Sequence, residues 1–148
     1  MPDTALSRGY ILGFDFGLRR IGVAIGQTAT HTASALETVR HGKSPDWQAI
    51  DRLVNEWKPA LLLVGLPLGA EGEETEMSRA ARRFGAALHK RYSLDVAFAD
   101  ERLSSQAAAS RFVELRASGN LRQKDAKQLD AAAARLILEN WLQSRHDP

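Results

Sequence analysis

Between Tyr10 and Phe16 the chain alternates two sets of positions, Ile11, Gly13 and Asp15 on one face of an extended segment and Leu12, Phe14 and Phe16 on the other. Gly17 to Arg20 can turn the chain, and Ile21 to Gly26 continues as a second strand, so the opening predicts a hairpin. Thr32 to Val39 predicts a third strand. Ser44-Pro45-Asp46 has the form of a helix start, with Ser as N-cap, Pro at the first helical position and an acid in the first turn. Trp47, Ile50, Leu53, Val54 and Trp57 then recur at helical spacing until Pro59 ends the run. Leu61 to Val64 is a short continuous apolar run, the signature of a strand covered on both faces. Gly65 to Gly69 reads as the loop after it.

A second helix is predicted from about Glu74 to Tyr92, striped by Met77, Ala80, Ala81, Phe84, Ala87 and Leu88. Asp95 to Ala99 predicts another strand. A helix capped by Ser104 or Ser105 runs to Ala117, closed by Gly119, and a last helix covers roughly Asp125 to Gln143. A hairpin followed by alternating strands and helices implies an α/β fold, a mixed sheet with helices on both faces. At 148 residues, without repeat or linker, the expectation is one domain, residues 1–148, with its ordered core at about 10–142 and short tails.

Composition narrows the function classes. The absence of Cys removes a disulfide scaffold and a thiolate zinc site. Met1 to Arg8 has no signal-peptide pattern, and the longest apolar run, Ala60 to Ala70, is broken by Gly65, Pro67 and Gly69, short of the ~20 residues of a membrane span. A cytoplasmic protein without a membrane partner is expected. Net charge is only +2, yet residues 1–74 hold 7 Lys+Arg against 9 Asp+Glu, for −2, and residues 75–148 hold 13 against 9, for +4. The excess sits in Arg79, Arg82, Arg83, Lys90 and Arg91, and in Arg116, Arg122, Lys124 and Lys127. Singly these are solvated helix positions; as a group beside an acidic site they suggest a polyanionic substrate.

Three acids occupy positions with an apolar pattern. Asp15 lies inside the first strand, Glu101 just beyond the last, and Asp130 shares a helical stripe with Ala133, Ala134, Ile137 and Trp141. An ionised carboxylate removed from water without compensation costs several kcal/mol, on the order given for buried ions, so the recurrence points to a divalent cation. Oxygen-only ligands suit magnesium or manganese. Taken one at a time, Asp15 could bond the backbone of Gly17, Glu101 could pair with Arg102 or Arg79, and Asp130 could answer Lys127 or cap a kink. Ligands in open α/β sheets bind beyond the carboxyl ends of strands, where Asp15 and Glu101 fall.

Four stretches in order, Leu12-Gly13-Phe14-Asp15-Phe16-Gly17 with Arg20-Ile21-Gly22-Val23-Ala24, then Val64-Gly65-Leu66-Pro67-Leu68, Asp100-Glu101-Arg102-Leu103-Ser104 and Leu129-Asp130-Ala131-Ala132-Ala133, resemble the YqgF (RuvX) family. That family was described as Holliday junction resolvases and is viewed as nucleases maturing the 5′ end of pre-16S ribosomal RNA. The resemblance spans about Tyr10 to Leu142. It implies an RNase H-like (RuvC-like) fold, a five-stranded mixed sheet whose first strands are antiparallel, and it implies that Asp15, Glu101 and Asp130 correspond to the family's acidic triad, with Asp100 as an additional candidate ligand. Leu18-Arg19 and Gly26-Gln27 depart from common family patterns; the first keeps a cation and the second removes an outer acid.

Such a site supports phosphodiester hydrolysis with Mg2+ or Mn2+, and Arg20 and Arg102, beside the acids, are candidate phosphate ligands. The expected partner is nucleic acid, as pre-rRNA or a pre-ribosomal particle, and the oligomeric state is open between monomer and weak dimer. The rival readings are a resolvase-like DNA endonuclease and a non-catalytic nucleic-acid or transcription-complex binding protein. Asp15-Phe16-Gly17 also bears a slight likeness to the first hairpin of sugar-kinase and actin-like ATPases, which need a second domain, and to a kinase Asp-Phe-Gly, which needs a Gly-rich loop and a catalytic loop.

Overall fold

Five strands form one mixed sheet in the order β3-β2-β1-β4-β5 in a computed structural model that describes residues 9–101 and 123–146. The strands are β1 (Tyr10–Phe16), β2 (Arg20–Gln27), β3 (Thr32–Arg40), β4 (Leu61–Leu66) and β5 (Val96–Asp100), and the helices are α1 (Trp47–Trp57), α2 (Glu76–Tyr92) and α3 (Gln123–His146). β1, β2 and β3 form an antiparallel meander, while β4 and β5 add in parallel to the other side of β1. The segment expected to form a helix from Ser104 to Ala117 lies outside the described residues.

Strand alternation divides the core in two. Leu12, Phe14 and Phe16 of β1, Ile21, Val23 and Ile25 of β2 and Leu62, Val64 and Leu66 of β4 pack against Ile50 and Leu53 of α1 and Ala81, Phe84 and Leu88 of α2. The opposite face carries Ile11, Ala24, Leu61, Leu63 and Ala99, covered by Ala134, Ile137, Leu138 and Leu142 of α3. All six residues of β4 are buried, as a continuous apolar run requires.

Two local expectations are corrected. The N-cap of α1 is Asp46, whose Oδ1 accepts from the Ala49 amide at 3.3 Å, because Pro45 is engaged in an isolated bridge with His41. Gly65 and Leu66 belong to β4 and not to the loop, since Gly65 pairs with Ala99 and Leu66 with Asp100. α2 starts at Glu76 under a capping box in which Thr75 and Ser78 exchange side-chain and backbone bonds. Among the described residues no helix is long and apolar enough to cross a membrane.

Asp51 joins the two helices of the first core face. Its carboxylate accepts from Arg91 Nε and Nη2 at 2.8 and 2.7 Å and from the Tyr92 hydroxyl at 2.6 Å. The Arg91 hydrogen bond, with that of Tyr92 second, lowers the Asp51 carboxyl from 3.8 to about 2; burial, with Asp51 second, pushes the Tyr92 hydroxyl upward. A carboxyl depressed on folding contributes stability that is present above its unfolded pKa and lost as pH falls through its folded one. The melting-temperature gap between wild type and Asp51→Asn is therefore expected to be small, constant above about pH 5, and to close between about pH 4 and pH 2. Thermal unfolding of both proteins across that range checks it; a gap that widens on acidification excludes this account.

Candidate active site

The carboxyl edge of β1 and β4 meets the middle of α3 over two positions that have no side chain. Gly22 is the cross-strand partner of Asp15, and a Cβ there would sit 1.9 Å from the Asp130 carbonyl oxygen. The backbone of α3 thus touches the sheet at the residue opposite Asp15. On the other side of β1, the parallel register aligns Gly13 with Leu63 and Phe14 with Val64, so the next step brings Asp15 level with Gly65. A Cβ on Gly65 would meet the Glu101 carboxylate at 2.8 Å and Ile137 Cδ1 at 2.9 Å. Asp15, Glu101 and Asp130 therefore border one small area between the sheet edge and α3, arranged about Gly22 and Gly65.

Asp15 and Asp130 are 9% and 7% exposed, the two buried carboxylates among the described residues, and this sets them apart from ordinary surface acids. Arg20, the first residue of β2, donates from Nε to Asp130 Oδ2 at 2.5 Å. This is the cation that answers Asp130, in place of Lys127 three residues earlier on the same helix. Lys127 is instead fixed through its backbone, its carbonyl accepting from the Thr38 hydroxyl at 2.5 Å.

Asp100 pairs with Leu66 at the end of β5 and alternates with Val96 and Phe98, residues that pack toward α2. Glu101, one residue on, reaches the α3 side. Of the adjacent pair, it is Glu101 that comes to Gly65. Both acids border a cavity of about 310 Å³ with Ile137, Asn140 and Trp141. Arg102 lies outside the described residues.

An all-carboxylate donor set has the chemistry that hard divalent cations require. As the side chains stand, no group of three His, Cys, Asp and Glu among the described residues is assembled to hold an ion. Asp130 is turned to Arg20 instead.

The basic second helix, expected to carry substrate, faces the other way. α2 packs on the sheet face opposite α3 and the acids, and two of its arginines are engaged, Arg82 with Glu74 and Arg91 with Asp51. The cations beside the site come from elsewhere: Arg19, Arg20, Arg40 and Lys127 line one cleft with His41 and Gly42. Of these, sequence reading had singled out Arg20 for this site. Arg19 and Arg40 sit 21 residues apart in sequence, and the signal that could have united them was the strand pairing that sets Arg20 opposite Arg40.

A 3-2-1-4-5 mixed sheet with acids at the carboxyl ends of β1 and β5 and a helix delivering a third is the arrangement of the RNase H-like nucleases. Among solved structures the chain is similar to Thermus thermophilus RuvC in complex with Holliday junction substrate, at 17% identity, TM-score 0.55 and coverage of 95% of this chain and 97% of that one. It is also similar to the yeast mitochondrial Holliday junction resolvase Ydc2, at 12% identity and TM-score 0.50, covering 99% and 85%. At such identities the likeness establishes the fold. Residues 9–144 match the RuvX family, described as Holliday junction resolvase, and the chain belongs to that family. Relatives from Nitrosococcus oceani and Xylella fastidiosa are each 47% identical, over 89% of this chain and 85% of the first relative, and over 96% and 94% for the second. Both carry the name "Putative pre-16S rRNA nuclease".

Proposed function

We propose that this protein is a nuclease that hydrolyses phosphodiester bonds in the 5′-end maturation of pre-16S rRNA, with Asp15, Glu101 and Asp130 as its catalytic acids and a divalent metal, Mg2+ or Mn2+, as its cofactor. The observation that carries the reading is that the residues bearing these acids border one area around Gly22 and Gly65 at the carboxyl edge of the sheet, with Asp15 and Asp130 buried. Membership of the RuvX family supports a nuclease, and the names of its relatives favour rRNA precursor as the substrate.

The metal, when bound, would lower the pKa of an attacking water and neutralise charge developing on the leaving oxygen. The chain's own part is positional. Asp15 is fixed by the pairing of β1 with β2, Glu101 by the end of β5 against Gly65, and Asp130 by a helix whose backbone rests on the sheet. Arg20 engages Asp130 through Nε, which leaves its terminal amino groups to face an incoming phosphate. Asp100 is the weaker ligand candidate because, of the adjacent pair, it is Glu101 that reaches Gly65.

Cleavage of a pre-16S leader RNA, a matched single-stranded DNA and a four-way DNA junction, each with manganese and with chelator, tests the proposal. Cutting of the RNA that stops with chelator is expected. Metal-dependent cutting of the junction alone would establish the resolvase reading suggested by the RuvC-like fold; binding without cutting of any substrate would make the chain a non-catalytic partner.

A further inference from the structure

We propose that the cleft formed by Arg19, Arg20, Arg40, His41 and Lys127 is a second anion subsite, one that holds a phosphate of the substrate strand beside the phosphate being cut. The inference rests on the nucleic-acid reading of the acidic site but concerns residues outside it.

The cleft is about 320 Å³ and lies between the start of β2, the end of β3 and the first turns of α3. Its cations are brought together against their own repulsion. Arg20 and Arg40 are direct partners in the antiparallel pair, so both point to the α3 side of the sheet, and like charges directly opposite destabilise a ladder. Asp130 relieves Arg20. Among the described residues, Arg19, Arg40 and Lys127 have no carboxylate within ion-pair distance, unlike Arg52, Arg82, Arg91 and Arg135, which each pair with an acid. A site that gathers cations and withholds counter-charges from them is built for an external anion.

The walls are held in place. The His41 amide donates to the Arg19 carbonyl at 2.9 Å, tying the end of β3 to the start of β2. His41 Nδ1 lies 2.7 Å from the Gly17 carbonyl oxygen, which can only accept, so Nδ1 carries the proton and the ring is locked against Phe16. Thr38 anchors the α3 backbone at Lys127. Position identifies the anion. Arg20 belongs both to this cleft and to the acid pair, and β2 lies one strand spacing, about 5 Å, from the strand bearing Asp15. An anion here is continuous with one at the acids, as successive phosphates of a single strand are. Phosphate contacts of this kind fix register without reading sequence or sugar.

The test uses the double variant Arg40→Gln/Lys127→Gln and, as a control of equal charge, Arg83→Gln/Lys90→Gln on the opposite face of the sheet. Binding of fluorescein-labelled single-stranded RNA and of DNA of the same sequence is measured in chelator across a KCl series. At a salt slope of about 0.7 per phosphate contact, loss of two contacts should lower the slope by about 1.4 and weaken binding about 25-fold at 0.1 M salt. The loss should be the same for RNA and DNA, with the control within about twofold of wild type. An unchanged slope, an equal loss in the control, or a loss confined to RNA overturns the subsite. Because binding is read without metal, the two proposals separate. Wild type that binds but never cuts removes the nuclease and keeps the cleft; wild type that cuts while the double variant binds equally well removes the cleft and keeps the nuclease.

Discussion

Asp15→Asn, Glu101→Gln and Asp130→Asn are each expected to slow cleavage of a pre-16S leader RNA by about 10³-fold or more, with the folded structure retained. The size follows from the role: an acid that fixes a catalytic cation supports several kcal/mol of transition-state charge stabilisation, and each 1.36 kcal/mol is worth about a factor of ten. Retention of the fold follows from the substitutions being isosteric. In Asp130→Asn the side-chain amide keeps an oxygen for Arg20 Nε, and the arginine, with its side chain 30% exposed, can turn to water if that bond weakens. Asp100→Asn, by contrast, should cost less, because alternation along β5 groups it with Val96 and Phe98 while Glu101 is the acid that reaches Gly65. Single-turnover rates with manganese, read beside thermal unfolding of the same samples, check the set. Loss of activity with a melting temperature within about 5 °C of wild type supports the catalytic assignment. Variants that unfold assign the acids to the architecture, and variants that stay folded and active remove them from the catalytic site.

The strands were legible because alternation is a local signal that burial enforces at every step. Leu12, Phe14 and Phe16 do fill one core face while Ile11 and Asp15 turn to the other, and Leu61–Leu66 is buried throughout. The helix start at Ser44-Pro45-Asp46 was read with Ser44 as its cap, and the cap is Asp46 because Pro45 pairs with His41 outside the helix. Gly65 looked like a loop for a similar reason. Glycine is a poor strand former until something else occupies the space of its side chain, and here Glu101 and Ile137 occupy it from 36 and 72 residues away in sequence.

Charge was harder to place than hydrophobicity. The positive run of α2 is plain in the sequence, but its direction depends on which sheet face the helix covers, and it covers the one away from the acids. The cleft beside the acids draws single cations from the β1–β2 turn, the end of β3 and α3, so no stretch of sequence is basic enough to announce it. Asp130 shows the same limit. Lys127 was its obvious local partner, yet the bond is made by Arg20, 110 residues distant, because the strand start and the helix are brought together by tertiary packing alone.

Gly22→Ala is expected to destabilise the protein by about 3 kcal/mol or more and to lower cleavage beyond what that loss explains. Overpacking a well-filled site usually costs about 1–3 kcal/mol because a neighbouring side chain can rotate aside. That relief is missing here. The new methyl would stand 1.9 Å from the Asp130 carbonyl oxygen and 3.0 Å from the Ala131 amide nitrogen, both backbone atoms of a helix packed by Ala134, Leu138 and Leu142. To admit it, α3 must lift from β2 as a body, which carries Asp130 away from Asp15 and strains its bond to Arg20. Gly42→Ala is the matched control for stability alone, since a Cβ there meets nothing within 4 Å and an exposed substitution of this kind falls within about 0.5 kcal/mol. Urea unfolding gives the stability of each variant, and cleavage by Gly22→Ala and wild type at a temperature where both are fully folded gives the second quantity. A Gly22→Ala protein as stable as wild type would mean that α3 does not rest on β2 at this residue. One that is destabilised yet fully active when folded would separate the seating of the helix from the placement of Asp130, and with it the reason for a glycine opposite Asp15.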